Sequence, residues 1–135
     1  MREIIFRGKL LKDGRWTVGS LNVSKSDACI ITPDERFIGS YGQVDPETVG
    51  QYTGVNDKCG GLIFEGDIIS AVLVDGIHKD FIWPNKKVVF HAGCFALYDG
   101  MRENIPLGSF APTVQFRISG NIYDTPELMG VTEFV

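Results

Sequence analysis

Apolar positions recur at intervals of two along much of this chain, in short runs broken by Asp-Gly and Pro-containing steps. That period predicts strands rather than helices. Ile4–Leu11 reads as a first strand. Asp13-Gly14 supplies the positive φ angles of a tight hairpin, and Trp16, Val18, Leu21 and Val23 return. Ala28–Thr32 is a short apolar run, stopped by Pro33-Asp34, and Arg36–Ile38 is a further short strand. Beyond residue 50 the pattern repeats. Tyr52–Gly54 is extended, Asn56–Gly61 is a polar turn, Leu62–Phe64 is apolar, and Glu65-Gly66-Asp67 is a kink before the β-prone run Ile68–Val74. Asp75-Gly76 marks a second hairpin whose return, Ile77–Trp83, is turned by Pro84-Asn85 and continued by Lys87–Phe90. Cys94–Tyr98 and Pro112–Ile118 complete the strands, with another turn at Asp99-Gly100 and irregular chain over 101–111.

Two sites carry helix-start chemistry. Asp45-Pro46-Glu47-Thr48 offers a capping carboxylate, a proline suited to the first turn and an acid near the positive end of the dipole. Thr125-Pro126-Glu127-Leu128-Met129 does the same before Gly130. The whole predicts a mostly β protein. It is an open or partly closed barrel with SH3-like elements and short helical turns, forming a single domain over residues 1–135. An N-terminal hairpin unit (1–45) packed on a barrel unit (46–135) is the alternative within that domain.

Composition agrees. The 135 residues include sixteen glycines, nine Phe, four Tyr and two Trp, with 44% hydrophobic and 22% charged residues. A chain of this length buries roughly two-thirds of its unfolded surface, enough for a core without staples. Cys29, Cys59 and Cys94 are odd in number and far apart, which argues for reduced thiols in a cytosol rather than a disulfide framework. No signal-peptide pattern or membrane-length apolar run is present, so a cytoplasmic protein that stays off membranes is expected. The net charge of −4 disfavours a general nucleic-acid coat. Charge is unevenly spread, however. Arg2, Arg7, Lys9, Lys12 and Arg15 lie near the start against Glu3 and Asp13, while residues 118–135 hold Asp124, Glu127 and Glu133 and no basic side chain. Two solvated faces explain this; so would association of a basic end with an acidic one.

The densest stretch is residues 49–69, Val-Gly-Gln-Tyr-Thr-Gly-Val-Asn-Asp-Lys-Cys-Gly-Gly-Leu-Ile-Phe-Glu-Gly-Asp-Ile-Ile. Gly50, Gly54, Gly60, Gly61 and Gly66 give the backbone freedom that turns require. Asn56 and Asp57 can bond nearby amides in an Asx turn, and Asp67 can cap amides at the kink. With Tyr52, these residues form a structural signature with no nucleophile, base or ligand cluster.

The same residues carry a resemblance. Arg2–Lys9 with Gly14-Arg15-Trp16 and Gly19 resembles the opening pattern R-x-I-x-F-R-G-K … G-x-W … G of the YopX family of phage and prophage proteins. Val49–Ile69 resembles its central V-G-Q-Y-T-G signature. Gly120–Asp124 with Pro126-Glu127-Leu128 resembles its closing G-N-I-Y-(E/D)-x-P-E-L. The resemblance implies a mostly β protein encoded by a phage or integrated element and acting in the bacterial cytoplasm. It implies no activity.

Candidate chemistry is sparse. His91 and Cys94 have a loose H-x-x-C spacing that Cys59 and His78 would have to join, whereas a structural zinc site needs four ligands. A Cys-His nucleophilic pair lacks flanking support, Asp57 and Asp67 sit where capping explains them, and no phosphate-binding loop is present. No catalytic residue, metal or cofactor is therefore expected. Trp16, Tyr52, Phe81, Trp83 and Phe90 could stack on bases beside Arg7, Lys9, Lys79, Lys86 and Lys87, of which Arg7, Lys9, Trp16, Lys86 and Lys87 are the candidate contacts. Most of these aromatics are expected in the core. The expectation is a non-enzymatic accessory protein that works through contacts with a bacterial host or phage protein, or with further copies of itself. A weak nucleic-acid-binding module is the alternative.

Overall fold

A computed structural model describes residues 1–34, 37–74, 79–98 and 104–130. The chain is mostly β and divides into two compact units, Met1–Gly54 and Val55–Val135. The division falls inside a strand, at Gly54.

The first unit contains β1 (Phe6–Lys9), β2 (Trp16–Ser24), β3 (Asp27–Asp34), β4 (Phe37–Val44) and β5 (Gly50–Asn56), whose last two residues pass into the second unit. The strand order is β4-β3-β2-β1-β5, antiparallel throughout the described pairings. The Asp13-Gly14 turn forms as expected, with the Gly14 amide donating to the Leu10 carbonyl at 2.8 Å. The sheet curls until the chain after β1 meets the end of β4. Leu10 bridges Val44, the Leu11 amide donates to Gln43 O at 3.0 Å, and the Asp45 amide to Lys9 O at 2.8 Å. This is closure at one corner and not a closed barrel. Ala28, Ile30 and Val44 are buried inside the curl, with Phe6, Leu10, Leu21 and Val49 packed on them. The Asp45 start becomes a 3-10 turn over Pro46–Thr48, its carboxylate accepting from the Glu47 amide at 3.0 Å.

The second unit contains β6 (Leu62–Phe64), β7 (Asp67–Val74), β8 (Lys79–His91), β9 (Cys94–Tyr98), β10 (Asn104–Pro106), β11 (Val114–Asn121) and the short helix α1 (Glu127–Gly130). Its five-stranded antiparallel sheet runs β10-β9-β8-β7-β11. β7 is buried along most of its length and is paired on both edges, by β11 and β8. Ile63, Ile69, Ala71, Val88, Leu97, Leu107 and Phe116 form the core, with Trp83 and Phe110 among the half-buried side chains packed against it.

β3 ends at Pro33-Asp34, as expected. Two expectations need correction. Pro84-Asn85 does not turn the chain out of its strand, because β8 runs through it. Proline has no amide to give to a ladder, so pairing skips it instead. The β3–β4 register slips between Thr32 and Asp34. Pro84 and Asn85 together face Ser70, between the pairs Ile69–Lys86 and Ala71–Trp83. Asn85 takes a φ of +47°, and its amide donates to Ser70 Oγ at 3.0 Å, so the bulge leaves that donor satisfied. Residues 101–111 are not wholly irregular: they hold β10 and a 3-10 turn over Leu107–Ser109. The turns expected at Asp75-Gly76 and Asp99-Gly100 lie outside the described residues.

Candidate functional site

The central signature folds into two linked turns of the second unit. In the first, Asp57 Oδ1 accepts the amides of Cys59 at 3.0 Å and Gly61 at 2.6 Å, while the Asp57 amide donates to Gly61 O at 2.8 Å. Gly60 closes this turn at a φ of +87°. In the second, β6 and β7 are joined by Glu65-Gly66. Gly66 has a φ of +89°, the sign a type II turn needs at that position. Asp67 is only 2% exposed, and its Oδ2 accepts the Phe64 amide at 2.8 Å. Both aspartates therefore hold main chain, as their positions in the sequence led one to expect.

The closing motif meets this centre. The Lys58 amide donates to Phe116 O at 2.9 Å, the Ile122 amide to Gly66 O at 2.9 Å, and Asn121 pairs with Asp67 across β11 and β7. Asn121 builds an Asx turn of its own, Oδ1 accepting the amides of Tyr123 at 3.0 Å and Asp124 at 2.8 Å. Thr125 Oγ1 accepts the Asn121 amide at 3.0 Å. Segments more than fifty residues apart thus form one main-chain brace. Sequence reading found both motifs without showing that they touch, because nothing local encodes the β7–β11 pairing. The other signature residues are dispersed. Gly50 is buried opposite Arg7, Tyr52 is buried with its amide donating to Ile5 O at 2.9 Å, and Gly54 has a φ of +84°.

The candidate nucleic-acid contacts separate between the units. In the first, Arg7, Lys9 and Trp16 come together. The Arg7 guanidinium carbon lies 4.6 Å from the centre of the Trp16 ring, and Lys9 Nζ lies 5.4 Å from it. The strand register explains this, since Lys9 pairs with Trp16 and Arg7 with Val18 on one face of the β1–β2 ribbon. Phe6 and Gly8 face the other way, and a Cβ on Gly8 would sit 3.0 Å from Val44 Cγ2 in the core. In the second unit Lys86 and Lys87 are neighbours on β8 and so point to opposite faces. Lys87 Nζ lies 5.1 Å from the Tyr98 ring centre. Of the expected stacking aromatics, Tyr52 is buried, Trp83 packs on the core edge-on to Phe110, and Phe90 is exposed against Phe95. The side chains of Lys79 and Phe81 lie outside the described residues.

The thiols and histidines do not assemble. Cys59 is exposed in the Asp57 turn. Cys94 is the cross-strand partner of His91, and its thiol donates to His91 O at 3.4 Å. His78 lies outside the described residues. Among the described residues no three His, Cys, Asp or Glu side chains gather as metal ligands would. No helix among them is long and apolar enough to cross a membrane. The Arg15 amide and guanidinium, each bonded to the Asp13 carboxylate, hold it below the usual carboxylate range.

Open antiparallel sheets braced by glycine and Asx turns define a mostly β protein whose motif residues serve its backbone. The chain belongs to the YopX family, whose model, described as YopX protein, matches residues 6–130. Among solved structures it is similar to the crystal structure of protein EF1440 from Enterococcus faecalis. The TM-score is 0.55 at 17% identity, over 96% of this chain and 99% of that one, a likeness of fold. None of the curated proteins matches the chain.

Proposed function

We propose that this chain is a non-enzymatic accessory protein of a phage or prophage, working in the bacterial cytoplasm through contacts with another protein. One observation carries the reading: the polar side chains of the family signature, Asp57, Asp67, Asn121 and Thr125, are bonded to backbone amides. A carboxylate bonded in this way is a poor general base, because its lone pairs are already directed at donors. What remains for function is the surface, and surfaces act by recognition.

The test is to tag the full chain, isolate what it binds in a bacterial host, and rebuild the complex from purified components. A stoichiometric complex that re-forms supports the reading. Turnover of any substrate that Asp57→Asn or Asp67→Asn abolishes, in protein that remains folded, overturns it. A nucleic-acid role would need bare aromatic faces in a cationic groove. Tyr52 and Trp83 are committed to the interior, and cations already sit over Trp16.

A further inference from the structure

We propose that the face of the second unit's sheet bearing Lys87, Tyr98 and Asn104 binds the phosphoryl group of a small phosphorylated molecule. This goes beyond the protein-contact reading and does not depend on it.

The first observation is a row of donors set by strand register. Lys87 of β8 pairs with Tyr98 of β9, and Tyr98 pairs with Asn104 of β10. Direct cross-strand partners share a face, so the three polar residues stand side by side, with neighbours about 5 Å apart. They line a shallow depression of about 400 Å³ together with Val89, Phe90 and His91.

The second observation is what these side chains do with their polar atoms. The polar side chains of the central and closing motifs are bonded to backbone amides. Here the side chains of Lys87, His91, Tyr98 and Asn104 make no hydrogen bond or ion pair among the described residues. The Lys87 ammonium belongs to a half-buried residue and leans over the Tyr98 ring, with Nζ 5.1 Å from its centre. A ring face takes up none of the ammonium's N–H donors as a carboxylate would, so they stay open to an acceptor. A charge drawn away from water is normally paired, and no residue of the lining carries a carboxylate. The anion that suits Lys87 comes from outside the chain.

The third argument is the class of anion. The row offers one charged donor, a hydroxyl and an amide. A phosphoryl group sets three terminal oxygens against three donors, where a carboxylate has two. The depression also runs along β8 to His91, about 13 Å from Lys87 at the rise of a strand. That is longer than a phosphate ion, and it leaves room over Val89 for the organic part of a phosphate ester.

The experiment titrates the isotope-labelled full chain with adenosine monophosphate, inorganic phosphate and acetate at constant ionic strength, read by amide NMR shifts. Saturable shifts are expected at the main-chain amides of Lys87 and Tyr98 and at the Asn104 side-chain amide. The nucleotide should bind tightest and acetate weakest. Lys87→Gln should weaken nucleotide binding about tenfold, the size of one lost charge-assisted hydrogen bond. Tyr98→Phe keeps the ring, loses only the hydroxyl and should weaken it by less. Lys86→Gln, on the opposite face, should change nothing. Each variant is first matched to the parent by its unfolding midpoint, and Tyr98→Phe serves in place of Lys87→Gln if the latter is unstable. No saturable shift with any of the three compounds, or equal losses in Lys86→Gln and Lys87→Gln, overturns the proposal. Acetate binding as tightly as inorganic phosphate overturns the phosphoryl assignment. Inorganic phosphate binding as tightly as the nucleotide overturns the ester as occupant, in favour of the free ion.

Discussion

Asp67→Ala separates a bracing aspartate from a reactive one. Asp67 is 2% exposed and Phe64, whose amide it accepts at 2.8 Å, is 5% exposed. Removing the carboxylate leaves a buried amide without that acceptor, and water has little access to replace it. A hydrogen bond to a charged group contributes about 1.5–3 kcal/mol, and a stranded buried donor costs about 1–3 kcal/mol by the same reckoning. These are two views of one loss, so a destabilisation of about 2–3 kcal/mol is expected. For a unit of this size that lowers the melting midpoint by roughly 10 °C or more. Asp67→Asn keeps an oxygen acceptor and should lose about half as much. The assay is thermal or urea unfolding combined with amide exchange at Phe64, whose protection should fall with the stability. An unchanged midpoint together with unchanged Phe64 protection in Asp67→Ala would refute the bracing role.

Four further outcomes follow from the same geometry. Ala92 holds a φ of +52° in the two-residue turn between His91 and Cys94, beside Gly93 at +82°, so Ala92→Asn should raise stability by about 0.5–1 kcal/mol in urea unfolding. Gly19→Ala should destabilise by about 3 kcal/mol, because its Cβ would run into the Ile31 carbonyl oxygen, and main chain cannot step aside as a flexible side chain does. Asp67→Ala and Asn121→Ala should be non-additive by about 0.5 kcal/mol or more in a double-mutant cycle, since the two residues pair in one brace. Asp13 is held below the usual carboxylate range chiefly by the Arg15 amide. Its contribution to the turn is therefore present above the unfolded value and is lost as pH falls through the lower folded value. A carboxyl NMR titration should place that midpoint below that of free aspartate, and Arg15→Ala, which keeps the amide and removes only the guanidinium, should move it back only part of the way.

Local chemistry made much of the fold legible. Asp13-Gly14, Asp45-Pro46 and Glu65-Gly66-Asp67 encode their turns in two or three neighbouring residues, and each forms where its residues indicate. Failures came where a rule about one residue met the freedom of two strands. Pro33 and Pro84 both read as breaks because each lacks an amide, and β3 does end at Asp34 while β8 skips one rung and continues. Nothing in the proline itself tells which will happen. The strand Asn104–Pro106 is too short for a period-two pattern to register. The hairpin turn at Ala92-Gly93 is hidden because alanine is an unusual residue for a positive φ. In the candidate site, the capping roles of Asp57 and Asp67 followed from their neighbours. The junction of the central and closing motifs did not, because it depends on a strand pairing that spans some fifty residues.

The three family motifs are not alike in what they ask of the chain. The central and closing motifs are accounted for by main chain: Asp57, Asp67, Asn121 and Thr125 each accept backbone amides, and Gly60 and Gly66 turn the path between them. The opening motif is different. A strand facing a core on one side needs only alternate positions to be specified, and Phe6 and Gly8 meet that need beside Val44. Arg7 and Lys9 take the positions between, where many polar side chains would leave the pairing of β1 with β2 intact. They set two cations over one indole, a contact between side chains and not main chain. The opening motif thus ties two strands together through its side chains, while the central and closing motifs tie theirs through turns and capped amides.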